Sequence, residues 1–128
     1  MLNQVLRWNG KKWVQSSVPS PGATSAGKSD QLGSITCNSP SDCWAVGQAG
    51  NINGAKVTLN TALHWNGTKW SVISTPNPGG KGAEDRNALS SVRCAGPGNC
   101  WAVGFSELNG EPSADQILHW NGNKWLVS

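Results

Sequence analysis

Charge is scarce in this chain of 128 residues: Asp, Glu, Lys and Arg make up 13%, and bases exceed acids by three. The ten Lys and Arg are scattered from Arg7 to Lys124, with Lys11-Lys12 the one adjacent pair. Nucleic-acid recognition gathers such residues on a stripe or patch, so no nucleic-acid partner is expected. The mild positive balance reads as solubility. No apolar run approaches the roughly 18–20 residues of a membrane span. The opening "MLNQVLRWNG" turns polar too early for a cleavable leader; an exported form has lost its leader or leaves by a non-classical route. Runs with helical periodicity are almost absent. So are the signatures of catalysis: no GxSxG, HExxH, P-loop or Cys-His nucleophile pattern occurs. The seven carboxylates are spread over expected loops, and the neighbouring pair Glu84-Asp85 reads as solvent-facing. No enzyme activity, cofactor or metal is expected.

Tyr is missing and Phe occurs once, yet there are eight Trp, beside 16 Gly and seven Pro. This is the composition of an all-β chain with many turns. The tryptophans are written in a repeat. "RWNGKKW" (7–13), "HWNGTKW" (64–70) and "HWNGNKW" (119–125) are near copies. "LGSITCNSPSDCWAVG" (32–47) matches "LSSVRCAGPGNCWAVG" (89–104) at nine of sixteen positions. One unit of about 55 residues therefore runs through the chain.

Each unit reads as four short strands, A to D. They are "LGSITC" or "LSSVRC", then "CWAVGQ" or "CWAVGF", then "TALHW" or "QILHW", then "KWSVIS" or "KWLVS". Alternation and β-branched residues support A, C and D. "WAVG" is apolar on both sides, as in an inner strand covered on two faces. Asn-Gly between C and D is a strong hairpin signal, because a type I′ turn needs positive φ at both central residues. A two- or a four-residue loop puts Trp65 and Trp70 on one face of the sheet, and Trp120 and Trp125 likewise. Burying one such indole contributes at most roughly 4–5 kcal/mol by area. Packing is the simplest role for these pairs; stacking on a sugar ring is the alternative for Trp65, Trp70, Trp120 and Trp125. By the same parity His64 and His119 lie on the opposite face, and Arg7 replaces them in the first copy. Asn66-Gly67-Thr68 is formally a glycosylation acceptor, but the asparagine already serves the turn.

Cys37 and Cys43 bracket one A–B turn, and Cys94 and Cys100 bracket the other. Cysteines flanking a hairpin loop reach disulfide distance, and closing so small a loop contributes roughly 2–2.5 kcal/mol. Buried free thiols and metal ligation are the competing readings, though five intervening residues do not match zinc-ribbon spacing. Disulfides imply an oxidising compartment, hence an extracellular or cell-surface protein.

A repeated four-stranded antiparallel unit of this length resembles a β-propeller blade, with the feature order of WD40 and a length nearer kelch. The pattern "L-S-V-x-C…CWAVG…HWNG…W" is also similar to Trp- and Cys-rich propeller repeats of secreted bacterial proteins. The resemblance covers nearly the whole chain and implies fold more than activity. It implies a leading C–D hairpin (1–18), a first blade (32–75) and a second blade (89–128). Two blades and a hairpin leave faces and edges bare, whereas a ring takes about four to eight blades. Either the chain is a piece of a longer propeller or copies of the same chain close the ring; a homo-oligomer is the expectation.

In such a plan A–B and C–D turns share one end. The long polar segments 19–31, 48–60, 76–87 and 106–115 share the other. A protein or glycan ligand is expected on that loop-rich face or in the grooves between blades. The functional expectation is a non-enzymatic scaffold or interaction module; the alternative is a lectin-like glycan binder.

Overall fold

The computed structural model describes residues 1–22, 29–50 and 56–128. Parts of the long segments 19–31 and 48–60 thus lie outside the described residues. The described chain is all-β, with two sheets, neither closed into a barrel.

β1 (Val5–Trp8) and β2 (Trp13–Ser16) form a separate two-stranded hairpin. β3 (Ser29–Ser39), β4 (Asp42–Gly50), β5 (Thr58–Trp65) and β6 (Trp70–Ile73) form one antiparallel meander. β7 (Arg86–Gly96), β8 (Asn99–Glu107), β9 (Ala114–Trp120) and β10 (Trp125–Val127) form a second. The expected four-stranded units are thus present, but not as separate sheets. A single parallel bridge, Thr58 to Arg86, joins them into one eight-stranded sheet.

β3 and β7, the first strands of the two meanders, are longer than "LGSITC" and "LSSVRC" suggest. Each carries a bulge, between Leu32 and Ser34 and between Leu89 and Ser91. A bulge inserts an unpaired residue and bends its strand, so alternation breaks there and the sequence pattern stops short. Opposite the bulges sit the glycines of "WAVG". A Cβ on Gly47 would lie 1.9 Å from the Gln31 carbonyl oxygen, and one on Gly104 equally close to that of Ala88. The motif ends in glycine because the partner backbone occupies the side-chain position.

The hairpin loops of the three Trp pairs have four residues, since Trp8 pairs Trp13, Trp65 pairs Trp70 and Trp120 pairs Trp125. Of the two loop lengths consistent with parity, the longer occurs. The type I′ expectation is corrected: in each loop only the glycine has positive φ, at 94°, 95° and 93°. The asparagine instead accepts from two backbone amides. Asn66 Oδ1 takes the N–H groups of Thr68 and Lys69 at 2.9 and 3.0 Å, and Asn9 and Asn121 do the same. It works as an Asx-type loop clasp, not as a left-handed residue.

Two apolar clusters hold three layers together. In the first, Trp44, Val46 and Ala62 of one meander meet Leu89, Val92, Cys100, Ala102, Leu118 and Trp125 of the other. Trp44 lies 4.7 Å from Trp120 and 5.2 Å from Trp125 between ring centroids. In the second, Val5 of the leading hairpin meets Cys43, Ala45, Leu63 and Trp70. The first meander thus presents its Trp44 side to the second meander and its Cys43 side to the leading hairpin.

Buried amides lock the seam. Asn60 and Gln116 exchange both hydrogen bonds, at 2.7 and 3.0 Å. Asn87 accepts from the Gly79 amide and donates to the carbonyls of Thr58 and Gly80.

Candidate functional site

Cys37 is bonded to Cys43 and Cys94 to Cys100, and the described cysteines include no free thiol. Each pair is in direct cross-strand register, with Cα atoms 4.0 and 3.9 Å apart. Among the described residues no cluster of three or more His, Cys, Asp or Glu is placed to hold a metal. No described helix is long and apolar enough to cross a membrane.

The sugar-stacking candidates divide. Trp70 and Trp125 are buried, so their faces serve packing. Trp65 and Trp120 are half-buried. Trp65 donates its indole N–H to the Pro40 carbonyl at 3.1 Å, which ties the C–D hairpin to the A–B turn. Trp120 is occupied against Trp44 and Trp125. Trp8 and Trp13 are exposed.

The histidines acquire a role that sequence reasoning did not assign. The His64 ring lies 4.6 Å from Trp44, and its Nε2 is 2.7 Å from Asp42 Oδ1. The His119 ring lies 4.2 Å from Trp101, and its Nε2 is 2.7 Å from Asn99 Oδ1. Trp, His and the residue before Cys43 or Cys100 therefore form one recurring cluster. The corresponding residue of the leading hairpin is Arg7. Arg7 instead places its guanidinium 5.9 Å from the centroid of Trp65, within range of a cation–π contact.

Glu84 and Asp85 are not a matched solvent-facing pair. Glu84 is exposed with φ 73°, whereas Asp85 is buried. Asp85 accepts from the amides of Gly82 and Asn109, at 2.7 and 2.9 Å, and so binds loop 76–87 to loop 106–115. This role could not be read from the repeat, because the loops differ between copies.

Open space gathers around the leading hairpin. One groove of about 510 Å³ is lined by Arg7, Gln15, Ser16, Trp65, Lys69 and Trp70, among others. A second, of about 310 Å³, runs between β1 and the first meander and includes Arg7, Ile35, Cys37, Cys43, Trp65 and Trp70. The other large apolar opening is a face, not a pocket: Trp101, Val103, Phe105, Ile117 and Leu126 of the second meander are all exposed.

Compared with protein-family models, curated proteins and solved structures, the chain shows no match in any of the three.

Proposed function

We propose that this chain is a non-catalytic, extracellular β-propeller segment that completes its stack of sheets by self-association and serves as a scaffold or interaction module. The observation that carries this reading is the unequal fate of one face. In the first meander Trp44 is 1% exposed; in the second its counterpart Trp101 is 42% exposed. Exposed apolar faces of this kind mark interaction surfaces. The leading hairpin offers the complementary surface, since Leu6, Trp8 and Trp13 correspond to Leu63, Trp65 and Trp70 and are exposed. A head-to-tail contact between copies repeats the packing seen inside the chain, and such contacts close into rings when the rotation allows. The two disulfides support the extracellular placement. Native mass spectrometry tests it: oligomers of the wild type that dissociate in Trp101→Glu support the reading, and a wild-type monomer at working concentration ends it.

A lectin-like reading is favoured by the groove in which Arg7 sits over Trp65. Arg beside an indole face is chemistry suited to an acidic sugar. Titration with a glycan panel tests it: a tryptophan fluorescence response that disappears in Arg7→Ala supports a glycan site, and silence across the panel removes it.

A further inference from the structure

Five Asn-Gly pairs stand in the sequence, at 9–10, 53–54, 66–67, 109–110 and 121–122. The second of them lies outside the described residues. Three others sit in the Trp hairpin loops, where each asparagine Oδ1 accepts two backbone amides at 2.9–3.0 Å. Asn109-Gly110 is built differently. The Glu111 amide donates to the Leu108 carbonyl at 2.9 Å, and both central residues have positive φ, 44° for Asn109 and 78° for Gly110. This is the type I′ pattern that the Trp hairpins lack. Here the asparagine side chain is not used to hold the loop. Its main-chain amide donates to Asp85 Oδ1 at 2.9 Å, while among the described residues its carboxamide has no hydrogen-bond partner. Residues 108–111 are all exposed. A Cβ built on Gly110 meets nothing within 4 Å, whereas one on Gly67 would approach Ser41 Cβ to 2.8 Å and one on Gly122 would approach Gly98 Cα to 3.5 Å.

These differences bear on the chemistry open to an Asn-Gly pair. The glycine amide nitrogen can attack the asparagine Cγ. A new C–N bond forms, ammonia leaves, and the product is a cyclic imide, a succinimide. Water then opens the ring at one of its two carbonyls. One opening leaves aspartate; the other leaves isoaspartate, in which the main chain runs through Cγ. Glycine permits the attack because no Cβ shields its nitrogen. Ring closure turns the carboxamide about χ1 and χ2, so a clasped asparagine must first give up its two hydrogen bonds. At ordinary net strengths two such bonds correspond to roughly tenfold in rate.

We propose that Asn109-Gly110 is a modification site that reacts without an enzyme: it deamidates through the succinimide, and the isoaspartate product opens the turn at the tip of loop 106–115. Isoaspartate adds a methylene to the main chain between Leu108 and Glu111, which breaks the hydrogen bond that closes the turn. The released carboxylate sits on the residue whose amide Asp85 accepts, so it sets a second negative charge near that of Asp85. Both changes act against the clasp by which Asp85 binds loop 106–115 to loop 76–87. The site uses neither the Trp101 face nor the Arg7 groove and is independent of what the chain binds.

The test incubates the full chain at mildly alkaline pH, once native and once in urea with its disulfides intact. Peptide mapping with fragment-resolved mass spectrometry and separation of aspartyl from isoaspartyl products follows each site. In the native chain, conversion at Asn109 is expected about tenfold or more ahead of Asn9, Asn66 and Asn121. In urea, where the clasps are lost, that lead is expected to shrink. The purified isoaspartyl form is expected to exchange its Glu111 amide hydrogen faster than the unmodified chain. Native conversion of any clasped asparagine as fast as Asn109, or no conversion at Asn109, overturns the proposal. So does an undiminished lead in urea, because neighbouring residue types and not the fold would then set the rates. An isoaspartyl form that keeps the protection of its Glu111 amide overturns the opening of the turn.

Discussion

The indole of Trp44 stands nearly perpendicular to that of Trp125, at 85° and 5.2 Å between centroids, across the seam between the two meanders. Its counterpart Trp101 meets no third sheet among the described residues. The chain thereby contains its own control for the value of this contact. Truncating a buried Trp to Ala costs about 3–5 kcal/mol in cores, so Trp44→Ala is expected to lose that much in urea unfolding. Trp101→Ala is expected to cost less than about 1 kcal/mol under conditions where the chain is monomeric. Equal losses for the two would mean that the exposed face is covered in solution.

This inequality also marks the border of what the sequence discloses. Strand order, the two disulfides and the shared face of each Trp pair follow from parity and repeat phase, which are local. Trp44 and Trp101 stand in the same motif and differ only in what lies opposite, so no local pattern separates them. The histidines were missed for a related reason: their partners Asp42 and Asn99 are different residues, and only register brings them to Nε2. Bulges at Gly33 and Ser90 hid the true length of β3 and β7, since alternation breaks where they occur. Of the candidate site, Trp65 was legible as a ring at a groove. The groove itself was not, because Arg7 and Trp65 lie far apart in sequence and only the packing of the leading hairpin on the first meander brings them together.

Asp30 occupies the position that Asn87 holds one repeat later. Both are buried, and both accept a glycine amide through Oδ1, from Gly22 and Gly79. Asn87 then donates from Nδ2 to the carbonyls of Thr58 and Gly80, whereas Asp30 Oδ2 is buried with no hydrogen-bond partner among the described residues. An unsatisfied buried polar atom costs about 1–3 kcal/mol. Asp30→Asn supplies a donor in place of that oxygen. It is expected to raise stability by about 1 kcal/mol or more, read as a higher urea midpoint with unchanged slope. A lower midpoint would show that the carboxylate has a partner which the carboxamide cannot keep.

The glycines separate two reasons for the same residue. Gly104→Ala forces a Cβ into the Ala88 backbone, with no flexible side chain to yield. It is expected to cost more than about 3 kcal/mol or to prevent folding. Gly10→Ala meets nothing within 4 Å and suffers only from φ 94°. Its cost is expected near 1 kcal/mol. Gly67→Ala lies between, because its Cβ would also approach Ser41 Cβ to 2.8 Å. Thermal melts of the three variants should fall in that order, and any other order would mean that the strand approach relaxes more easily than the loop.

The two disulfides close loops of the same length, so chain entropy assigns each about the same 2.4 kcal/mol. Their accessibility is different. Cys100 is fully buried under the first meander and Cys94 is partly covered, whereas Cys37 is exposed beside the cavity along β1. Thiol–disulfide exchange needs in-line access of a thiolate to one sulfur, and Cys37 is the sulfur that offers it. Mild reduction followed by alkylation and peptide mapping is expected to label Cys37 and Cys43 well before Cys94 and Cys100. Labelling of both pairs at one rate would mean that reduction proceeds through global unfolding and that local exposure at Cys37 plays no part.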